Sequence, residues 1–166
     1  MSIFSRIFGT GGFQNDPIPH LQSILPTAAA TKIQGGSLPV LKSDKLILKK
    51  GEDCHYVDVG AVITDRKHYQ SGRRGASVRV AKGWTVHSGS VTSVPVTTYE
   101  VTKGILFITN KRIVFMAQKH GFSQKISSLT AMTLYDDGLV LQFNGTAQRI
   151  VLPSAFIAKK VIELLT

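Results

Sequence analysis

A mainly β domain, a bent antiparallel sheet forming a partly open barrel and capped by a C-terminal α-helix, is the fold this sequence predicts. Three observations carry that expectation. From Lys45 onward apolar residues recur with a period near two. Turn residues interrupt them at intervals of about ten, the spacing of successive hairpins. After Pro153 the apolar period returns to that of an amphipathic helix.

The strands expected on this pattern cover residues 46–50, 55–64, 76–85, 94–101, 104–109, 112–117, 124–127, 131–135, 138–143 and 148–152. Asn110-Lys111, Asp137-Gly138 and Asn144-Gly145 each fall between apolar runs. Asn, Asp and Gly suit tight hairpin turns, because their short or absent side chains tolerate positive φ or hydrogen-bond their own backbone. Sequential hairpins make a meander. In the last segment Ile157, Val161, Leu164 and Leu165 form one helical stripe, widened by Phe156 and Ile162, with Pro153 suited to the first turn. Such a stripe must be buried, and the open end of a curled sheet is the nearest apolar surface.

The chain is divided on this reading into an N-terminal arm with short helical turns and linker, residues 1–44, and a β domain, residues 45–166. Within the arm, Ile3, Phe4, Ile7 and Phe8 stand at helical spacing before the glycine-rich stretch 9–12. Further on, Pro17, Pro19 and Pro26 interrupt the apolar set Leu21, Ile24 and Leu25, and Gly35-Gly36 marks a break.

With 166 residues and 43% hydrophobic content against 18% charged, the chain has enough apolar material for one core without disulfides or a structural metal. Its single cysteine, Cys54, excludes a disulfide framework and a cysteine-rich zinc site, and fits a reducing compartment. No apolar run approaches the roughly 20 residues that a membrane-spanning helix needs. The first ten residues also lack a secretory apolar stretch. A cytoplasmic protein, peripheral at the membrane at most, is the expectation. The formal net charge of +10 favours anionic partners.

Residues 104–115 read Gly-Ile-Leu-Phe-Ile-Thr-Asn-Lys-Arg-Ile-Val-Phe. This resembles the pattern of GRAM and bacterial pleckstrin-homology-like (PH-like) domains, in which a glycine and an apolar strand lead into Thr-Asn-x-Arg and a second apolar strand ending in Phe. Gly51-Glu52 looks like the upstream opening of the same pattern, and the stretch 127–141 like its following hairpin. The similarity covers about residues 45–166. It implies a seven-stranded bent sheet with one C-terminal helix, used to bind lipids, phosphorylated ligands or proteins. Read as residues alone, Thr109 and Asn110 are turn formers between two apolar strands, a hairpin device with no chemistry demanded of it.

Enzyme chemistry finds no support in the sequence. Cys54 and His55 are adjacent on a strand, so their side chains face opposite ways and cannot form a nucleophile and base. The five histidines show no metal-ligand spacing, no phosphate-binding Gly-Lys-Ser/Thr loop is present, and Asp136 and Asp137 read as turn residues. No cofactor is expected. The functional candidate is the acid-free stretch 66–82, holding Arg66, Lys67, Arg73, Arg74, Arg79 and Lys82. Residues 71–75 read as a flexible inter-strand loop, from which guanidinium and backbone N–H groups would converge on a phosphate. A solvated basic hairpin tip is the competing reading.

The expected function is therefore a non-catalytic PH/GRAM-like adaptor recognising an anionic membrane surface or an acidic protein face through this loop. One alternative is single-stranded nucleic-acid binding, with Trp84 or Tyr69 stacking on bases. The other is a purely structural role, in which the chain oligomerises through a sheet edge or the N-terminal arm.

Overall fold

The computed structural model of the chain describes residues 2–3, 20–82 and 84–166, with the stretches 73–81 and 84–92 as backbone alone. A short helix, α1 (Thr27–Gln34), precedes the strands β1 (Cys54–Ala81), β2 (Trp84–Thr109), β3 (Arg112–Ala117), β4 (Phe122–Lys125), β5 (Leu129–Tyr135), β6 (Gly138–Phe143) and β7 (Thr146–Val151). A 3₁₀ turn (Ile126–Ser128) links β4 to β5, and the helix α2 (Ala155–Leu165) ends the chain. Among the described residues the seven strands form one antiparallel sheet in the order β4-β3-β2-β1-β7-β6-β5, open at β4 and β5.

Two compact units divide the chain, one made of the residues up to Thr64 together with Val101–Thr166, the other of Asp65–Glu100. In the first, the inward faces of the strands contribute Tyr56, Val62, Leu106, Ile108, Ile113, Phe115, Leu139, Leu141 and Ile150 to a single core. The sheet must bend to do this. Phe122 on the edge strand β4 stacks on Phe115 at 5.9 Å and meets Phe143 of β6 at 6.3 Å, so the two ends of the strand order approach each other around the core. Residues of opposite parity, Phe107 and Val114, point to the other face, where with Cys54 they are covered by Leu46.

The second unit consists of the distal parts of β1 and β2. Residues 65–72 are exposed throughout, so no buried face requires apolar alternation there. That explains why residues 71–75, expected as a loop, are instead part of β1, and why 55–64 and 76–85 are not separate strands. Likewise 94–101 and 104–109 belong to one strand, β2. The stretch 46–50 is not a strand: Leu46 is tucked under as a plug and the backbone turns at Lys50-Gly51.

The C-terminal helix is present, but its buried face is rotated from the predicted stripe. Ala155, Ala158, Val161 and Ile162 are buried, whereas Phe156 and Leu164 are exposed. Alanines let the helix axis approach the sheet closely, and a stripe chosen by side-chain size overlooks them. Pro153 lies in the turn before the helix rather than in its first turn.

Part of the N-terminal arm packs into the core. Pro26 precedes α1, Gly35 ends it, and Ile33 is fully buried among the sheet residues. Asp58, fully buried on β1, ties the arm down by accepting from Ser23 Oγ and Ile24 N, both at 2.8 Å, as well as from Val59 N and the Tyr56 hydroxyl. At the start of the chain Ser2 Oγ and Ile3 N donate to the Asp137 carboxylate at 2.5 and 2.7 Å, and Ile3 is buried. Phe4, Ile7, Phe8, the stretch 9–12, Pro17 and Pro19 lie outside the described residues.

Candidate anion-binding site

The sequence-predicted basic residues stand on the extended pair β1 and β2. Arg66, Lys67 and Lys82 are exposed. Arg66 and Lys67 are strand neighbours, so they face opposite sides. Arg66 is also engaged, its Nε lying 2.9 Å from Glu100 Oε2, and its carbonyl accepts from Thr98 Oγ1 at 3.3 Å. The acid came from β2, not from the acid-free stretch itself. The side chains of Arg73, Arg74, Arg79 and Trp84 lie outside the described residues. With residues 71–75 extended, their backbone N–H groups do not converge as those of a loop would, and the only described bend is at Lys82.

A different basic site is assembled in the first unit, around the motif that carries the family resemblance. The backbone turns sharply where Glu52 N bonds Lys49 O at 2.9 Å, with Gly51 at φ 68, a left-handed conformation that glycine adopts without the Cβ penalty. This places the Glu52 side chain inward, fully buried, where it meets the β2–β3 hairpin. Arg112 Nε and Nη2 donate to its two oxygens at 2.7 and 3.2 Å, Thr109 Oγ1 donates at 2.8 Å, and Lys49 N at 2.7 Å. Every strong acceptor position of the carboxylate is used. Burial alone pushes the Glu52 carboxyl up, but the bonds from Arg112, Lys49 and Thr109, with the Arg112 charge, outweigh it and bring the group from 4.5 down to about 2.

The same hairpin is stitched to the turn by backbone and amide bonds. Asn110 N donates to Asp53 O, Asp53 N to Asn110 Oδ1, and Asn110 Nδ2 to Gly51 O, at 3.0 to 3.1 Å. Lys111 Nζ donates to Lys50 O at 2.6 Å, Arg112 Nη2 to Ile47 O at 2.8 Å, and Ile126 N to Lys111 O at 3.0 Å. Thr109 and Asn110 are thus more than turn formers. They join segments about sixty residues apart, a long-range role that the Gly-Glu and Thr-Asn-x-Arg spacing signals only once the two are paired.

Between these segments lies a cavity of about 390 Å³, lined by Lys49, Asn110, Lys111, Arg112, Lys125, Ile126 and Ser127. Four cations stand in its wall and no acid does. Arg112 is neutralised by Glu52, which leaves three ammonium groups, and among the described residues Lys49 and Lys125 meet no carboxylate. An oxyanion-bearing ligand is the chemistry such a wall accepts. The run of charge in the sequence singled out none of these residues, because they come from three separate segments, although Asn110, Lys111 and Arg112 stand in the motif that carries the resemblance.

The nucleophile and base candidates, Cys54 and His55, are both buried, whereas Asp136 is exposed in its turn. Cys54 is fully buried and its Sγ bonds Tyr56 O at 3.3 Å, while His55 Nδ1 lies 2.7 Å from Pro39 O, so the two neighbours have separate surroundings. Burial pushes the Cys54 thiol up, and burial together with the Asp58 carboxylate does the same to the Tyr56 phenol. Among the described residues there is no cluster of His, Cys, Asp or Glu arranged to hold a metal ion, and no helix long and apolar enough to cross a membrane.

No family model matches this chain, and comparison with curated proteins and with solved structures likewise finds no match.

Proposed function

We propose that the chain is a non-catalytic PH/GRAM-like binding module for an anionic partner, and that Lys49, Lys111 and Lys125 are the groups that contact it. The convergence of Lys49, Lys111 and Lys125 on the wall of one cavity, from segments far apart in sequence, carries this reading. Solvated lysines spread over a surface are individually weak attractors. Three facing one cavity act on the same oxyanion, and hydrogen bonds to charged groups contribute about 1.5–3 kcal/mol each where water is partly excluded. The buried Glu52, Asp58, Cys54 and Tyr56 serve the scaffold, which supports a binding role over catalysis. The ribbon bearing Arg66 and Lys67 is a secondary contact in this reading, since Arg66 already has a carboxylate partner.

Calorimetric titration with a soluble polyphosphate, inositol hexakisphosphate, tests the proposal. The variant Lys49→Ala/Lys111→Ala/Lys125→Ala is expected to weaken binding at least tenfold for each charge-assisted bond lost, in line with about 1.4 kcal/mol per decade. Replacing Arg66, Lys67, Arg73 and Arg74 with Ser is expected to change it little. The opposite ranking would return the site to the ribbon, and wild-type protein that binds no polyphosphate at low salt would end the anion reading.

A further inference from the structure

The wall of the cationic cavity holds one side chain that the charge argument leaves aside. Ser127 is exposed there, on the 3₁₀ turn between β4 and β5. A serine on a loose surface loop is unremarkable. This turn is held. Ile126 N donates to the Lys111 carbonyl at 3.0 Å, and Ser128 Oγ donates to the Lys125 carbonyl at 2.7 Å. The two adjacent serines therefore differ in kind. The Ser128 hydroxyl is used by the fold, whereas that of Ser127 has no hydrogen-bond partner among the described residues. The wall that Ser127 shares carries Lys49, Lys111 and Lys125, all exposed, and no carboxylate. Lys111 uses one of its three donors on the Lys50 carbonyl and keeps two.

From this we infer that Ser127 is a phosphorylation site, and that its phosphate closes the cavity from within. The inference rests on the anion reading of the same cavity and adds its regulation. In the modifying step Ser127 Oγ bonds to the γ-phosphorus of ATP held by a separate protein kinase. The bond from that phosphorus to the β,γ-bridging oxygen breaks, ADP leaves, the hydroxyl proton passes to the kinase's general base, and nothing is oxidised or reduced. The product brings about −1.5 to −2 charges and three strong acceptor oxygens to a wall of lysines. Its charge offsets most of the three ammonium groups, and no neighbouring acid in the wall repels it. Because the phosphate is tethered, it competes with an outside anion at an effective concentration on the order of millimolar. Lys125 stands two residues before Ser127, and the turn follows β4 at an open end of the strand order, where a second enzyme reaches the hydroxyl without parting the core.

The full chain with phosphoserine incorporated at position 127 tests the closure. Phosphorus NMR is expected to show that phosphate titrating roughly one unit below its usual second value of about 6, because ammonium groups favour the dianion. In the background Lys49→Ala/Lys111→Ala/Lys125→Ala the titration is expected to return to the usual value. Calorimetry is expected to show inositol hexakisphosphate binding to the phosphorylated chain roughly tenfold more weakly than to wild type. Ser127→Ala is expected to keep wild-type affinity, which separates the added charge from loss of the hydroxyl. The site itself is tested by incubating the folded wild-type chain with ATP and a serine/threonine kinase that favours basic substrates. Peptide mass spectrometry is expected to place phosphate on Ser127 and none on Ser128. Absence of phosphate from Ser127 overturns the assignment of the site. An unshifted phosphorus titration, or undiminished polyphosphate affinity with phosphate at 127, overturns the closure and leaves the anion reading standing. Wild-type protein that binds no polyphosphate overturns both.

Discussion

Replacing Glu52 with Gln removes one charge from a buried pair and leaves the side chain almost the same shape. The carboxylate is wholly inside, and Arg112 keeps only a fifth or so of its side chain in solvent, at 19%. Gln cannot accept four donors, so its NH₂ group must face an N–H of Arg112 or Lys49. Two routes give the cost. Breaking a buried ion pair by losing one partner costs about 3–5 kcal/mol. The carboxyl shift from 4.5 to about 2, at 1.36 kcal/mol per unit, corresponds to about 3 kcal/mol of stabilisation. Taking ~3 kcal/mol, the melting temperature should fall by roughly 6–12 °C for a chain of this size.

The dependence on pH separates the ion pair from simple repacking. Because the folded-state value lies below the unfolded one, the unfolded chain binds the proton first as pH falls. The stabilisation is complete above about 4.5 and lost as pH drops toward about 2. Glu52→Gln has no such titration, so urea unfolding midpoints of wild type and variant, well separated at neutral pH, should converge across that window. A gap below about 1 kcal/mol at neutral pH, or one that stays constant with pH, would refute the argument that the pair is buried and fully bonded.

Other outcomes follow from the same geometry. Asp58→Ala leaves the donors of Ser23, Ile24, Tyr56 and Val59 without their acceptor, and should cost about 2–4 kcal/mol, with amide exchange rising first in the 23–34 segment. Gly138→Ala would set a Cβ 2.1 Å from the Ile150 carbonyl oxygen, so β6 and β7 must part at that point, and urea unfolding should register a loss of about 2 kcal/mol or more. The Cys54 thiol should resist a disulfide reagent at mildly alkaline pH in the native protein and react promptly in urea, since it is buried and its titration is pushed up. Prompt native labelling would show that β1 opens at that end.

What could be read from the sequence was whatever depends on near neighbours along the chain. β3 and β6 lie where period-two alternation places them, the Asn110-Lys111 and Asn144-Gly145 turns separate the expected strands, and Gly145 has the positive φ (78°) that its turn requires. A C-terminal helix after the last strand was equally legible. These features are set by local backbone preference and by which face of one element is apolar. The long pair β1 and β2 was not legible, because residues 65–72, exposed throughout, have no buried face to impose apolar alternation, and Gly72 and Gly75 resemble a loop. Which face of the terminal helix is buried depended on alanines whose value lies in close approach, not in hydrophobic area.

The cationic cavity belongs wholly to the second category. A charge run along the chain pointed to residues 66–82, whereas the cationic cavity joins residues 49, 110–112 and 125–127, and the Glu52–Arg112 pair spans sixty residues. Charge density along a sequence records neighbours on one segment. Convergence of cations on one cavity is a property of chain closure: the buried Glu52 carboxylate joins residues 49–52 to the 109–112 hairpin, and the pairing of β3 with β4 sets 125–127 beside it.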